Sequence, residues 1–458
     1  MKTRLLLASV AVIGLLSVSC NNNDASGETG NGSGNEPTSS VDQKLTDTEM
    51  IVSGVWTAGQ TINLDRHLVI PEGKTLTIEE GVTIIVSENG VGVNHLPIEI
   101  SVKGNLYVQG SEEKPVTFSV APASRTQSNT FKGLWGGIVA YESCQEMALD
   151  HVIIEYTGAQ VIEGSPAATA GIYTAGDDMY PQITVTNISG RYALTNSVIR
   201  NGASDGIYMM GGNCIVTHNT FAANGYTGAE AVNMKAGVKA DIAGNIMFSP
   251  NTNGLKLSSS GQSETRSQLL VNAYNNTIIN AGWRRDGEKG GCIYVEKNAL
   301  VNVVNNLMVN CKFRAMTPKY TDPNKTDGGY DDKSVIDYNF YAAGSQTTPL
   351  TGEATVSTPA EGYNQSNKNY SPDVDTHSLI STKDNLLDPG FESFDINSVS
   401  LTAYLYDQSW DFHLTPSSPA LRGANGTVNP YFAGGLTIGT KKYVSPTPES
   451  HYGALGTK

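Results

Sequence analysis

Asn219-Thr220-Phe221, Asn245-Ile246-Met247, Asn276-Thr277-Ile278, Asn306-Leu307-Met308 and Asn339-Phe340-Tyr341 repeat one pattern, an asparagine followed two residues later by a large apolar side chain. Asn196-Ser197-Val198 reads as a further copy upstream, and the six asparagines recur at intervals of 23 to 33 residues. A period of that size marks an array of units, each too small to bury its own apolar side. The stretches between them alternate apolar and polar residues with period two, which makes short strands. A right-handed parallel β-helix satisfies both observations. Each repeat is then one coil of two or three strands, and coils stack at roughly 4.8 Å. Val198, Phe221, Met247, Ile278, Met308 and Tyr341 should point inward in one column, and Ala193, Val216, Ile242, Ala273 and Val303 in another. The asparagines should form an internal ladder in which stacked amides satisfy the polar groups of a buried turn. A leucine-rich repeat needs a leucine-asparagine pattern that is absent here, and a propeller needs a longer period.

A second marker lies between the asparagines: Gly171-Ile172-Tyr173, Gly206-Ile207-Tyr208, Ala231-Val232-Asn233, Gly254-Leu255-Lys256 and Cys292-Ile293-Tyr294. Alternation turns Ile172, Ile207, Val232, Leu255 and Ile293 into the core and leaves Tyr173, Tyr208, Asn233, Lys256 and Tyr294 outside. The small residues that precede them predict a flat floor beside raised tyrosines. Such a surface suits a sugar ring on the tyrosines, with amide, hydroxyl and ammonium groups for its substituents. An ordinary solvated sheet that favours tyrosine by strand propensity is the plainer reading. Trp283, Arg284 and Arg285 form either one wall of that groove or a solvated turn.

Composition agrees with many turns and short strands. The 458 residues include 48 glycines, and only 16% are charged. A formal net charge of −14 supplies no basic footprint for phosphate, so no nucleic-acid partner is expected. Residues 1–20 read as a signal segment, with Lys2 and Arg4 before the apolar run Leu5 to Val18. Ser19-Cys20 is similar to a lipoprotein processing site, although Ser17 stands where an aliphatic residue is usual, which leaves ordinary secretory cleavage open. Residues 21–41, polar and glycine-rich, read as a disordered tether. The expected organisation is then a lipid anchor on Cys20, a β-helix with its N-terminal cap over 42–425, and a capping segment or tail over 426–458. The membrane is reached through the lipid alone, which places the chain in the cell envelope, at the outer membrane or cell surface. Trp56 is a candidate lid on the first coil. Cys144, Cys214, Cys292 and Cys311 have no metal-ligand spacing, and Cys214 falls in an internal column with Ala240, Val271 and Val301.

Several runs carry a family resemblance: Gly73-Lys74-Thr75-Leu76-Thr77-Ile78-Glu79-Glu80-Gly81, Val102-Lys103-Gly104-Asn105-Leu106-Tyr107-Val108, Trp135-Gly136-Gly137-Ile138, Asp388-Pro389-Gly390-Phe391 and Asp411-Phe412-His413-Leu414-Thr415-Pro416. Together they resemble bacterial cell-surface lipoproteins with a pectate-lyase-like parallel β-helix. That resemblance implies the fold. It leaves function open, because the scaffold carries lyases, hydrolases, adhesins and binding modules.

Catalytic signals are sparse. Asp177-Asp178 has no accompanying Gly-His-Gly of the polygalacturonase type. Asp205 and Glu230 should lie one coil apart, roughly 5 Å, which fits retaining rather than inverting hydrolysis. A lyase needs a lysine or arginine base, here Lys235 or Lys256, and often calcium, for which Asp205 and Glu230 are the candidate ligands. No cofactor is expected otherwise. The sequence therefore points first to a surface-anchored, non-catalytic module for a polysaccharide or surface glycan. A lyase or hydrolase on acidic glycan comes second, and a protein-binding envelope spacer third.

Overall fold

The computed structural model describes residues 41–285, 291–312, 329–347, 362–363 and 373–458. The signal segment with Cys20, nearly all of the tether, and most of the polar stretches 316–334 and 345–380 lie outside the described residues. The described chain is a parallel β-helix of three sheets. In a representative coil, Ile207–Met209 belongs to sheet A, Gly212–Thr217 to sheet B and Thr220–Ala222 to sheet C. Each strand pairs in parallel with its counterpart one coil away, as Ile207 does with Val232 and Phe221 with Met247. Sheet C stacks 11 strands among the described residues.

Side-chain columns follow from this register. Ile199, Phe221, Met247, Ile278, Met308 and Tyr341 form one inward stack. Each is essentially inaccessible to water, worth roughly 1.5–3 kcal/mol for a fully buried large apolar side chain. Leu194, Val216, Ile242, Ala273 and Val303 form another. The expected first members, Val198 and Ala193, are each displaced by one residue. Val198 pairs with Thr220, and Ala193 with Ile215. Cys214 does lie in register with Ala240, Val271 and Val301, and its thiol is buried.

The ladder runs through Asn219, Asn245, Asn276, Asn306 and Asn339. Each Oδ1 accepts the backbone N–H of the preceding rung at 3.0–3.1 Å. Asn196 is not a rung. Ser197 takes that place: its N–H donates to Asn219 Oδ1 at 2.9 Å, and its hydroxyl accepts from Val152 N–H at 2.9 Å. Asn196 sits one position earlier, exposed, with φ 54°.

At the first coil, Asp42–Leu45 pairs antiparallel with Glu49–Trp56 and covers one strand edge. Trp56 is buried in register with Ile78, so it closes the core from within the first coil. Residues 426–458 form a strap along the side of the helix. Gly426 donates to Asn305 Oδ1, the hairpin Leu436–Ile438 and Lys441–Tyr443 covers sheet B, and Gly453 N–H returns to Asn305 O. Phe432, Leu436, Ile438 and Tyr443 pack on Ala148, Ala193 and Ile215. The buried carboxylate of Asp241 accepts from Tyr431 N–H, Phe432 N–H and the Ser445 hydroxyl.

Candidate functional site

The outward column of sheet A reads Ser101, Val139, Thr184, Tyr208, Asn233, Lys256 and Tyr294. Tyr208, Asn233, Lys256 and Tyr294 are therefore consecutive, as the alternation predicts. Gly171-Ile172-Tyr173 is not a strand of this sheet. It follows the single helical turn Pro166–Thr169, inside the loop that joins sheet C back to sheet A. The strand in register is Ile183–Val185, and Thr184 holds the place expected for Tyr173. The loop nevertheless returns Tyr173 to the column. Its hydroxyl lies 2.7 Å from Thr184 Oγ1, and its ring meets that of Tyr208 at 6.4 Å and 64°.

The small-residue marker has a different role from the expected flat floor. Gly206, Ala231, Gly254 and Cys292 face the interior corner between sheets C and A. A Cβ on Gly206 would lie 3.0 Å from the Phe221 ring, and one on Gly254 would lie 2.7 Å from Ile278 Cγ2. These positions are small because the inward column of sheet C fills the corner.

The loop over 157–181 is pinned from below by Glu99. This fully buried carboxyl accepts from Tyr180 Oη at 2.8 Å, Ala167 N at 3.0 Å, Tyr141 Oη at 2.6 Å and Ser101 Oγ at 2.5 Å. Burial pushes its pKa up, against the pull of those donors. Ala167, Val161, Tyr180 and Val139 pack together above it.

Beneath the loop is a cleft of about 330 Å³ lined by Tyr173, Tyr208, Asp177, Asp178, Asp205 and Gly228 among others. A second, of about 470 Å³, is lined by Lys103, Tyr141, Glu142, Ser143, Thr186 and Arg266, and both include Ile172 and Met210. Asp205 precedes the sheet A strand and Met210 follows it, so the combined groove runs along the strand direction. The sequence placed a groove down the stack of coils. That course fails beyond Tyr208, where Asn233 and Tyr294 are only 4% and 8% exposed.

Asp205 and Glu230 are brought together as expected. Asp205 Oδ1 accepts Glu230 N–H at 2.6 Å, and Asn233 Nδ2 donates to both carboxylates at 3.2 Å. Asn253 Nδ2 donates to Glu230 Oε1 at 3.1 Å. Burial and then the neighbouring Glu230 charge push the Asp205 pKa well up. Lys235 lies over the Tyr208 ring at 5.3 Å, and its pKa is lowered by burial and by Lys256. Lys256 lies 5.9 Å from the Tyr294 ring centroid and 3.9 Å from Glu296. Burial and the charges of Asp205, Asp178 and Glu230 push the Tyr208 phenol up to about 12. Among the described residues, no three His, Cys, Asp or Glu side chains converge as a metal site.

Trp283, Arg284 and Arg285 do not wall this groove, and Arg284 is not a solvated turn. Its guanidinium donates to Gly225 O at 2.9 Å and Ser249 O at 2.7 Å, and it stacks 4.5 Å from the Phe131 ring centroid. Trp283 is buried, with Nε1 donating to Asn310 O. Lys103 and Arg266 were missed as groove residues. Arg266 comes from a polar loop whose composition carries no signal of its destination.

Comparison with known proteins agrees with this architecture. Residues 48–146 match the pectate-lyase like beta helix domain, and residues 162–328 match the right handed beta helix region. The first match is to a pectate-lyase-like β-helix and the second to a right-handed one, and both agree with a right-handed parallel coil. No curated protein and no solved structure matches the chain.

Proposed function

We propose that this right-handed parallel β-helix binds a polysaccharide or surface glycan, without transforming it, in the groove under residues 157–181. The observation that carries the reading is the ring pair Tyr173 and Tyr208, set edge to face at 6.4 Å along the cleft that contains Asp205. Aromatic walls with a few convergent polar groups are the usual makeup of a saccharide site, because one sugar face is apolar and its rim is polar. Attachment to the cell envelope through lipidated Cys20 belongs to the same proposal, and the apolar run and polar tether support it.

A catalytic reading has its own support. An acid raised by burial next to a second carboxyl, with a lysine of lowered pKa nearby, is how active sites separate protonation roles. In a lyase, Lys235 or Lys256 would act as base. In a hydrolase, Asp205 and Glu230 would act as the pair.

A glycan-array screen of the full chain, with product analysis on every bound glycan with and without calcium, tests both. Tyr208→Ala should weaken binding by about 1–2 kcal/mol through lost ring contact. Release of shortened or unsaturated products would replace the binding reading by the catalytic one. Unchanged binding in both Tyr173→Ala and Tyr208→Ala would overturn the groove.

A further inference from the structure

The two clefts under the 157–181 loop carry opposite charge. One is lined by Asp177, Asp178 and Asp205, the other by Lys103 and Arg266 with a single carboxylate, Glu142, which leaves it net positive. They meet at the apolar ridge of Ile172 and Met210. Among the described residues, Asp177, Asp178, Lys103 and Arg266 form no ion pair. Their partners are neutral, a backbone N–H for Asp178, carbonyls for Arg266 and the Tyr141 ring for Lys103, and charges of both signs without a counter-ion favour a ligand that supplies one. From the geometry of the groove we propose that it takes a zwitterionic glycan segment, with an ammonium group in the aspartate cleft and an anionic group in the Lys103–Arg266 cleft. This rests on the glycan reading above and names the class of glycan.

Further observations support it. The aspartate end carries aromatic faces as well as charge, and an ammonium gains from both. Burial above all, and then the neighbouring Asp205 and Asp178, push the phenols of Tyr173 and Tyr208 up. At the other end, the Arg266 guanidinium is held by the carbonyls of Met210 and Ala236, so it is pre-positioned. Five residues of extended chain separate the levels of Asp205 and Met210, roughly 16 Å, the reach of a short oligosaccharide. The ridge between the clefts is apolar and suits the apolar face of a sugar ring between the two charged groups. A purely acidic chain would set its carboxylates against Asp177, Asp178 and Asp205. A purely cationic chain would meet the same repulsion at Lys103 and Arg266.

The test titrates the full chain with three oligosaccharides of equal length at low and moderate salt. They are hyaluronan, carrying carboxylates only; N-deacetylated hyaluronan, alternating ammonium and carboxylate; and a chitosan oligomer, carrying ammonium only. A phosphate-bearing amino-sugar oligomer separates a phosphate from a carboxylate as the anion. The zwitterionic chains should bind about tenfold tighter than either single-charge chain. Asp177→Asn with Asp178→Asn should cost the zwitterion about tenfold and leave hyaluronan unchanged or improved. Lys103→Gln should weaken the zwitterion and hyaluronan but not chitosan. Equal affinity for all three chains, or variants that ignore ligand charge, would overturn the proposal. So would preferential binding of an alternating lysine-glutamate peptide. If neutral oligosaccharides bind through Tyr208 while the charge variants are silent, only the zwitterion inference falls. If no oligosaccharide binds, the glycan reading falls with it.

Discussion

Asn245 presents one side-chain oxygen to two donors of Asn219, its backbone N–H at 3.0 Å and its Nδ2 at 3.0 Å. The same oxygen-to-amide relation repeats through Asn276, Asn306 and Asn339. Each rung is thus donor to one coil and acceptor for another. Asn245→Ala removes the acceptor for two buried donors and also strands Val216 O, which Asn245 Nδ2 serves at 2.9 Å. The expected loss is about 3 kcal/mol in urea unfolding. Asn196→Ala puts alanine in a left-handed turn and removes one of several donors to Asp150, so it should cost less, about 1–2 kcal/mol. Comparable losses for the two would remove the ladder's claim to structural weight.

Gly254→Ala separates a core corner from a groove floor. The added methyl would sit 2.7 Å from Ile278 Cγ2, 2.8 Å from its Cδ1 and 3.0 Å from Cys292 O. Overpacking of this kind costs typically 1–3 kcal/mol. Ile278→Val in the same chain should recover part of the loss, and glycan affinity should not change. A variant of normal stability and reduced affinity would restore the flat-floor interpretation.

His67 predicts an acid-side loss of stability. It is buried, its Nδ1 accepts Glu99 N–H at 3.1 Å, and burial lowers its pKa to about 4. Protonation would turn that acceptor into a donor facing a donor. The unfolded chain binds the proton near pH 6.5 and the folded one only near 4, so stability from this residue is present above 6.5 and falls as the pH drops toward 4. The total is about 3 kcal/mol by linkage. His67→Gln should flatten that part of the curve. Identical pH slopes in the two proteins would count against it.

Glu99→Gln tests how the loop is held. The carboxyl accepts from four donors, and an amide nitrogen in its place would face at least one of them. The expected cost is about 1–3 kcal/mol, with faster amide exchange at Ala167. Tyr173 rides on the same loop, so glycan affinity should fall although residue 99 touches no ligand. Unaltered exchange at Ala167 would show that apolar packing alone secures the loop.

Much of this was legible in the sequence because a solenoid converts spacing directly into neighbourhood. The one-residue slip at Asn196 has a specific cause. Asparagine suits two adjacent positions here, the rung and the left-handed residue before it. Asn275-Asn276 and Asn305-Asn306 occupy both, with φ 50° and 59° at the first of each pair. Asn196 is the left-handed member, and Ser197 is the rung. Tyr173 was placed beside Tyr208 for the wrong reason, since a Gly-Ile-Tyr triplet in a loop mimics the strand marker. The β-branched run Ile183-Thr184-Val185 after Pro181 was the better strand signal. The groove's orientation was not legible. It depends on where the 157–181 loop lies, and Glu99, distant in sequence, holds that loop.

The strap over sheet B changes how the stack behaves as a polymer. Coils that touch only their neighbours can melt progressively from either end. A return hairpin that joins the coil of Asn305 to that of Glu146, through Gly426 at one and Gly439 at the other, ties distant coils to a common fate. It follows the coils it covers in the chain, so until it is made Asp241 is without its donors from Tyr431, Phe432 and Ser445. Docking of the strap should therefore act as the step that turns a fraying array into an all-or-none unit. A chain ending at residue 425 should unfold over a broader urea range than the full chain, and an equally sharp transition would deny the strap that role.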